Sequence, residues 1–162
     1  MSVKATVTIQ AYVKETVALG TTTATDPQIP YGITGTPYNY SADTTVDATK
    51  GWANTVTLTA GAATINLTTL TRTGLPTVDL TALKIRAIHF KALSTNSALI
   101  TIVPGASNGY AALGLGLSLA PGGEALIHNP SSAAVTSSLK NIDLASADTD
   151  ASLDVVIFAG TA

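Results

Sequence analysis

The chain has 162 residues, with 8 Lys or Arg against 10 Asp or Glu, a formal net charge of −2. Charged residues make up 11% of it, against a usual share of about 25%. Cysteine is absent, which excludes disulfides and thiolate metal sites. No basic stripe exists to displace counterions from a phosphate backbone, so no nucleic-acid partner is expected.

The opening segment, Met1 to Thr6, alternates polar and apolar residues and has no apolar h-region, so it does not read as a signal peptide. No apolar run approaches the roughly 18 residues of a membrane span, so no membrane partner is expected. Val3, Ala5, Val7, Ile9, Ala11 and Val13 share one face, with Lys4, Thr6, Thr8, Gln10, Tyr12 and Lys14 on the other. Period-two alternation of this kind predicts a long half-buried strand, either a sheet edge or an arm that completes a neighbour's sheet.

A flexible or turn segment, Thr21–Pro27, precedes a Pro/Gly/Tyr stretch from Pro30 to Tyr40. That stretch predicts a long loop. Its three tyrosines, Tyr31, Tyr38 and Tyr40, suit a surface that is apolar in the body and wet at the tip.

From Trp52 the predicted strands are short. Val56 and Leu58 alternate with Thr55, Thr57 and Thr59, and Ile65 and Leu67 with Thr64, Asn66 and Thr68. With Gly61 between them, the two runs predict a hairpin. Gly74 and Pro76 end it. Leu83–Leu93 follows, with a phase change that predicts a bulge near Ala87. Leu99–Val103 is apolar on both faces and predicts a central strand. Turn residues at Pro104-Gly105, Asn108-Gly109, Pro121-Gly122-Gly123 and Asn129-Pro130 set off Leu115–Leu119 and Glu124–Ile127. Lys140–Leu144 and Leu153–Phe158 complete the set.

The pattern predicts an all-β fold, a single β-sandwich domain over 1–162, jelly-roll-like, with about eight or nine strands and an N-terminal strand or arm. Residues 1–50 hold the N-terminal strand and the Tyr/Pro/Gly-rich loop, and 51–162 form the sandwich core.

The candidates for chemistry fail on geometry. His89 and His128 form no spaced ligand pair. Ser118, in Gly116-Leu117-Ser118-Leu119-Ala120, lacks the helix that a nucleophile elbow needs. Asp148-Thr149-Asp150-Ala151-Ser152-Leu153-Asp154 offers alternating oxygens, but Leu153 stands where a calcium loop needs glycine. Gly114-Leu115-Gly116 lacks the third glycine of a dinucleotide site. Asn39 and Asn66 begin formal glycosylation sequons in a Thr-rich sequence that generates them by chance. No catalytic, cofactor-binding or metal-ligating residue is assigned, and no enzyme activity is expected. The candidate interface residues are Val3, Val7, Ile9, Tyr31, Tyr38 and Tyr40. A charge-poor surface is poorly guarded against association.

From about Trp52 to Ala162 the sequence resembles small virion proteins of tailed bacteriophages, of the capsid decoration (cement) or minor structural kind. The Thr-rich Val56–Leu67 segment, Leu83–Ile88, Ser97–Ile102, Leu119–Pro130 and the terminal Asp154–Gly160 carry the likeness. The resemblance implies a β-sandwich that forms a homo-oligomer, dimer or trimer, and bridges subunits of a major capsid protein. It implies a virion location, with assembly in the host cytoplasm, and no cofactor. A carbohydrate-binding or adhesin-like module, using Tyr31, Tyr38, Tyr40 or Trp52 as stacking platforms, is the alternative, as is a tail or fibre component.

Overall fold

The computed structural model describes residues 13–16, 28–31, 50–72, 75–129 and 132–161. The protein divides into two compact units, one of Val46–Ala162 with Met1–Ala5 and one of Thr6–Thr45.

In the smaller unit, β1 (Val13–Thr16) pairs antiparallel with β2 (Gln28–Tyr31), from Val13↔Tyr31 to Thr16↔Gln28. Pro30 and Tyr31, read from sequence as the start of a loop, therefore belong to a strand. Proline cannot donate to a ladder, and a two-stranded ribbon tolerates it because each strand has a free side. Of the expected Val3–Val13 strand, only Val13 lies within the described residues.

The larger unit holds ten strands among its described residues: β3 (Lys50–Thr57), β4 (Ala62–Asn66), β5 (Leu70–Arg72), β6 (Leu75–Val78), β7 (Lys84–Ala92), β8 (Ile100–Pro104), β9 (Leu117–Leu119), β10 (Glu124–His128), β11 (Asn141–Ser146) and β12 (Ser152–Gly160). No α-helix occurs among the described residues, only a 3-10 turn at Ala111–Leu113. Eight of the strands form two four-stranded antiparallel sheets, ordered β10-β7-β12-β3 and β4-β11-β8-β9. Strands β5 and β6 pair only with each other, as an insertion between β4 and β7.

The pairing is nested. Setting aside the insertion, the first strand pairs with the last (β3–β12), the second with the next to last (β4–β11), the third with β10 and the fourth with β9. A long antiparallel ribbon folded over so that alternate pairs fall in opposite sheets is a jelly roll. One core cluster lies between the sheets. Trp52, Ile85, Phe90, Leu153, Val155 and Ile157 enter it from one side, and Ile65, Ile100, Ile102, Ile142 and Leu144 from the other. Along the strands these alternate with outward, mostly polar or small residues, which pins the register, because a one-residue slip would turn the whole set into water.

The nesting also corrects one sequence expectation. The Val56–Leu67 hairpin does not form, since β3 joins β12 and β4 joins β11. Only its turn survives. Thr59 and Ala62 exchange backbone hydrogen bonds of 3.0 and 3.2 Å around Ala60 (φ 53°) and Gly61 (φ 78°). Two central residues at positive φ make a type I′ hairpin turn. The arms then part, because Leu58 N–H donates to the Ala151 carbonyl and Ser146 N–H to that of Gly61, pulling each arm to its own sheet. Leu99–Val103 is central in order, as expected, between β11 and β9. Ile100 and Ile102 are buried, while Val103 is 37% exposed and Leu99 is 50% exposed.

The bulge expected near Ala87 is present. Phe158 pairs with Ala87 but Ala159 pairs with Ile85, leaving Arg86 as the extra residue of β7. This is how Ile85 and Ile88, three apart, both reach the core.

Gly61 is required twice, by its φ and because a Cβ there would come within 2.5 Å of the Ser146 carbonyl oxygen. Gly61→Ala is expected to cost about 1–3 kcal/mol by strain and clash. Ala60→Gly, which relieves only the positive φ, should be neutral to slightly stabilising. Urea denaturation of the two variants checks both signs.

Candidate association surfaces

The outer face of the β10-β7-β12-β3 sheet is built in rows set by the registers. One row is polar, running Glu124, Lys91, Asp154, Thr55. The Thr55 hydroxyl donates to Asp154 Oδ1 at 2.6 Å. The next runs Leu126, His89, Val156, Ala53, and the third His128, Ala87, Phe158, Gly51. Leu126, Val156 and Phe158 are half-buried there, so this face has an apolar middle with charge along one side. His89 Nε2 lies 3.4 Å from Glu124 Oε2.

The outer face of the β4-β11-β8-β9 sheet differs in kind. Its rows run Ala62, Ala145, Thr101, Ser118 and Thr64, Asp143, Val103. Asp143 is the one charged residue in these rows. Its Oδ1 accepts from the Thr64 hydroxyl at 2.7 Å, and its Oδ2 from the Ala106 N–H at 2.9 Å. The face is therefore small-residue and nearly free of charge, and Val103 and Leu99 stand at it. A shallow depression of Ala98, Leu99, Thr101, Ala145, Ser146 and Ala147 adjoins it. Leu99 and Val103 do not stand out in the sequence, because nothing in a run apolar on both faces marks which face is left open.

Among the described residues four strands of these two sheets are edges: β3, β4, β9 and β10. Strand β3 is the longest at 8 residues, against 3 to 5 for the rest. It carries one charged residue, Lys50 at its start, and no proline. Natural sheets usually blunt such an edge by shortness, charge or proline.

Of the interface residues expected from sequence, Tyr31 lies in β2 as the register partner of Val13. Val3, Val7, Ile9, Tyr38 and Tyr40 lie outside the described residues. His89 and His128 occupy the same outer face on neighbouring strands, His89 opposite Leu126 and His128 opposite Ala87. Ser118 is an exposed residue of β9, opposite Thr101. Trp52 is only 4% exposed, and its indole N–H donates to the Thr71 carbonyl at 2.8 Å. It is a core residue and offers no ring face to a sugar.

The acidic run before β12 is a structural corner. Asp148 Oδ2 accepts from the Ser97 N–H at 2.6 Å and Oδ1 from the Asp150 N–H at 3.2 Å. Asp154 accepts from Thr55 on the outer face, so the run does not gather its carboxylates. Beside it, Asn96 is buried and binds Ser152 twice. Its Nδ2 donates to the Ser152 carbonyl and its Oδ1 accepts from the Ser152 N–H, both at 2.9 Å. A side-chain amide thus takes the place of a strand partner where β7 turns toward β8.

No family model and no curated protein matches this sequence. Among solved structures it is similar to one described as the cyanophage Pam1 capsid asymmetric unit, at 13% identity and a TM-score of 0.32, over 68% of this chain and 86% of that one.

The backbone N–H of Ser97, then that of Asp150, holds the Asp148 carboxyl below its ordinary pKa of 3.8. Its stabilisation is therefore complete above that value and is lost as pH falls through the lower folded-state pKa. Asp148→Asn should shrink the fall in Tm that acid causes, read by thermal melts at neutral pH and below the ordinary pKa. Asn96→Ala strands the Ser152 N–H, while the Ser152 carbonyl keeps the Leu93 N–H at 3.1 Å, and should cost about 1–3 kcal/mol at all pH values, by the same melts.

Proposed function

We propose that this protein is a non-enzymatic structural protein of a phage particle, a capsid decoration or cement protein that associates with itself and bridges subunits of the major capsid protein. The observation that carries this reading is the outer face of the β4-β11-β8-β9 sheet. A water-facing sheet normally alternates a buried face with a polar one. Here the outward rows hold alanine, threonine, serine and valine, and the one carboxylate is already bonded within the fold. Such a face gains by being covered and gives up little hydration to be covered.

Two further features support it. The long β3 edge, which Trp52 and Asn54 tie to Thr71 of β5 but which has no ladder partner on its outer side among the described residues, suits an added strand from a neighbour. The jelly roll is an architecture used in viral shells and also in lectins. Burial of Trp52 weighs against the sugar-binding alternative, because it removes one of the four proposed stacking platforms.

In solution the protein is expected to run as a dimer or trimer by light scattering at micromolar concentration. Val103→Lys, which sets a second charge in the charge-poor face, opposite Asp143, should weaken self-association by at least about tenfold, equivalent to roughly 1.4 kcal/mol. Its effect on folding should stay within about 0.5 kcal/mol, as at other exposed sites. A wild-type monomer at high micromolar concentration would count against self-association. Mass spectrometry of purified particles tests the location, and cryo-microscopy separates a shell position from a tail one.

A further inference from the structure

The loop after β8 is tied around the first residue of β11. Gly105 and Tyr110 both donate N–H to the Asn141 carbonyl, at 2.9 and 2.8 Å. The Asn108 carbonyl accepts from the N–H groups of Lys140 and Asn141, at 2.8 and 2.9 Å. Asn141 Nδ2 donates to the Ser107 carbonyl at 2.9 Å. The backbone is so tight that a Cβ on Gly109 would sit 2.2 Å from the Gly105 oxygen. Only glycine fits there. Asn108, just before it, is exposed and has φ 53°, a left-handed conformation that Asn tolerates better than most residues.

Two groups in this knot are idle. The Asn108 side-chain amide and the Gly109 N–H make no hydrogen bond among the described residues. They are adjacent along the backbone, an electrophilic carbonyl carbon and the nitrogen that can close a five-membered ring on it.

We propose that Asn108-Gly109 is a spontaneous modification site, at which Asn108 is converted to aspartate and isoaspartate through a cyclic imide. Hydroxide or another solvent base removes the Gly109 amide proton, and the nitrogen attacks Asn108 Cγ. The bond from that nitrogen to Cγ forms, the bond from Cγ to Nδ2 breaks, and ammonia leaves with a proton from water. Water then adds to either imide carbonyl and opens the ring. Opening at Cγ restores a normal main chain with aspartate. Opening at the other carbonyl routes the backbone through Cγ as isoaspartate. No oxidant or reductant is involved.

The other described asparagines differ at both reacting groups. Asn54, Asn66, Asn96 and Asn141 are each followed by a residue with a side chain, which crowds the attacking nitrogen. Their own amides are engaged, with Thr71, Thr68, Ser152 and Ser107 respectively. Asn129 precedes a proline, which has no amide proton to lose. Isoaspartate at 108 adds a methylene to the backbone inside the tightest part of the knot. The position that now accepts from Lys140 and Asn141 is not kept, so the start of β11 loosens.

The test is to age the full-length folded protein in mildly alkaline buffer, following it by peptide mapping and isoaspartyl-methyltransferase labelling. Asn108 should gain the mass change of amide-to-acid exchange several-fold faster than Asn54, Asn66, Asn96 or Asn141. The isoaspartate fraction should melt below fresh protein. Asn108→Asp adds the charge with a normal backbone and should melt closer to fresh protein, while Asn108→Gln should not change with age. Retention of Asn108 in folded protein while urea-denatured protein converts would overturn the site. Conversion with no fall in Tm would overturn the proposed loosening of β11.

Discussion

Strand β12 runs between β7 and β3, so the last strand of the sandwich holds the first in place. Thr57 and Ser152, whose hydroxyls meet across this pair at 3.0 Å, are 95 residues apart in sequence. Only β8 and β9 among the nested pairs are close in sequence. The β10-β7-β12-β3 sheet is incomplete until β12 is in place. Loop closure of that length costs entropy before any contact rewards it, which makes folding slow relative to a set of local hairpins. The corner at Asn96 and Asp148 ties the strand together at one end, and the β7 bulge adjusts its register at the other.

Much of this was legible in the residues. The strands between Lys84 and Gly160 fall where alternation and turn chemistry put them, and the phase change at Ala87 marked a real bulge. The fold class followed from the same signals. Pairing was not legible. Two alternating runs around an Ala-Gly turn read as a hairpin, and the turn is indeed a hairpin turn. What separates the arms is the competing ladders offered by β11 and β12, more than 70 residues further on. Local chemistry specifies a turn, whereas partners are chosen by the whole set of strands.

The surfaces follow the same division. A low charge count indicated a poorly guarded surface but not where it lies. The small residues of β4 and those opposite them gather on one sheet face because antiparallel register brings Ala62, Ala145, Thr101 and Ser118 into one row. Lys91, Glu124 and Asp154, by contrast, collect in one row of the opposite sheet. The two faces are thus chemically unlike, one of small residues with a single carboxylate, the other apolar in the middle and charged along a side. Trp52 marks the limit of composition as a guide. Its residue type suggested a sugar platform, and its inward position on β3 places the ring in the core.

Lys50 and Ala159 are register partners at one end of the β3–β12 pair. The start of β3 and the end of β12 therefore lie side by side at a single corner. A pull applied between these two points does not shear the ladder, in which every hydrogen bond would share the load. It peels β3 from β12 one bond at a time, starting at that corner.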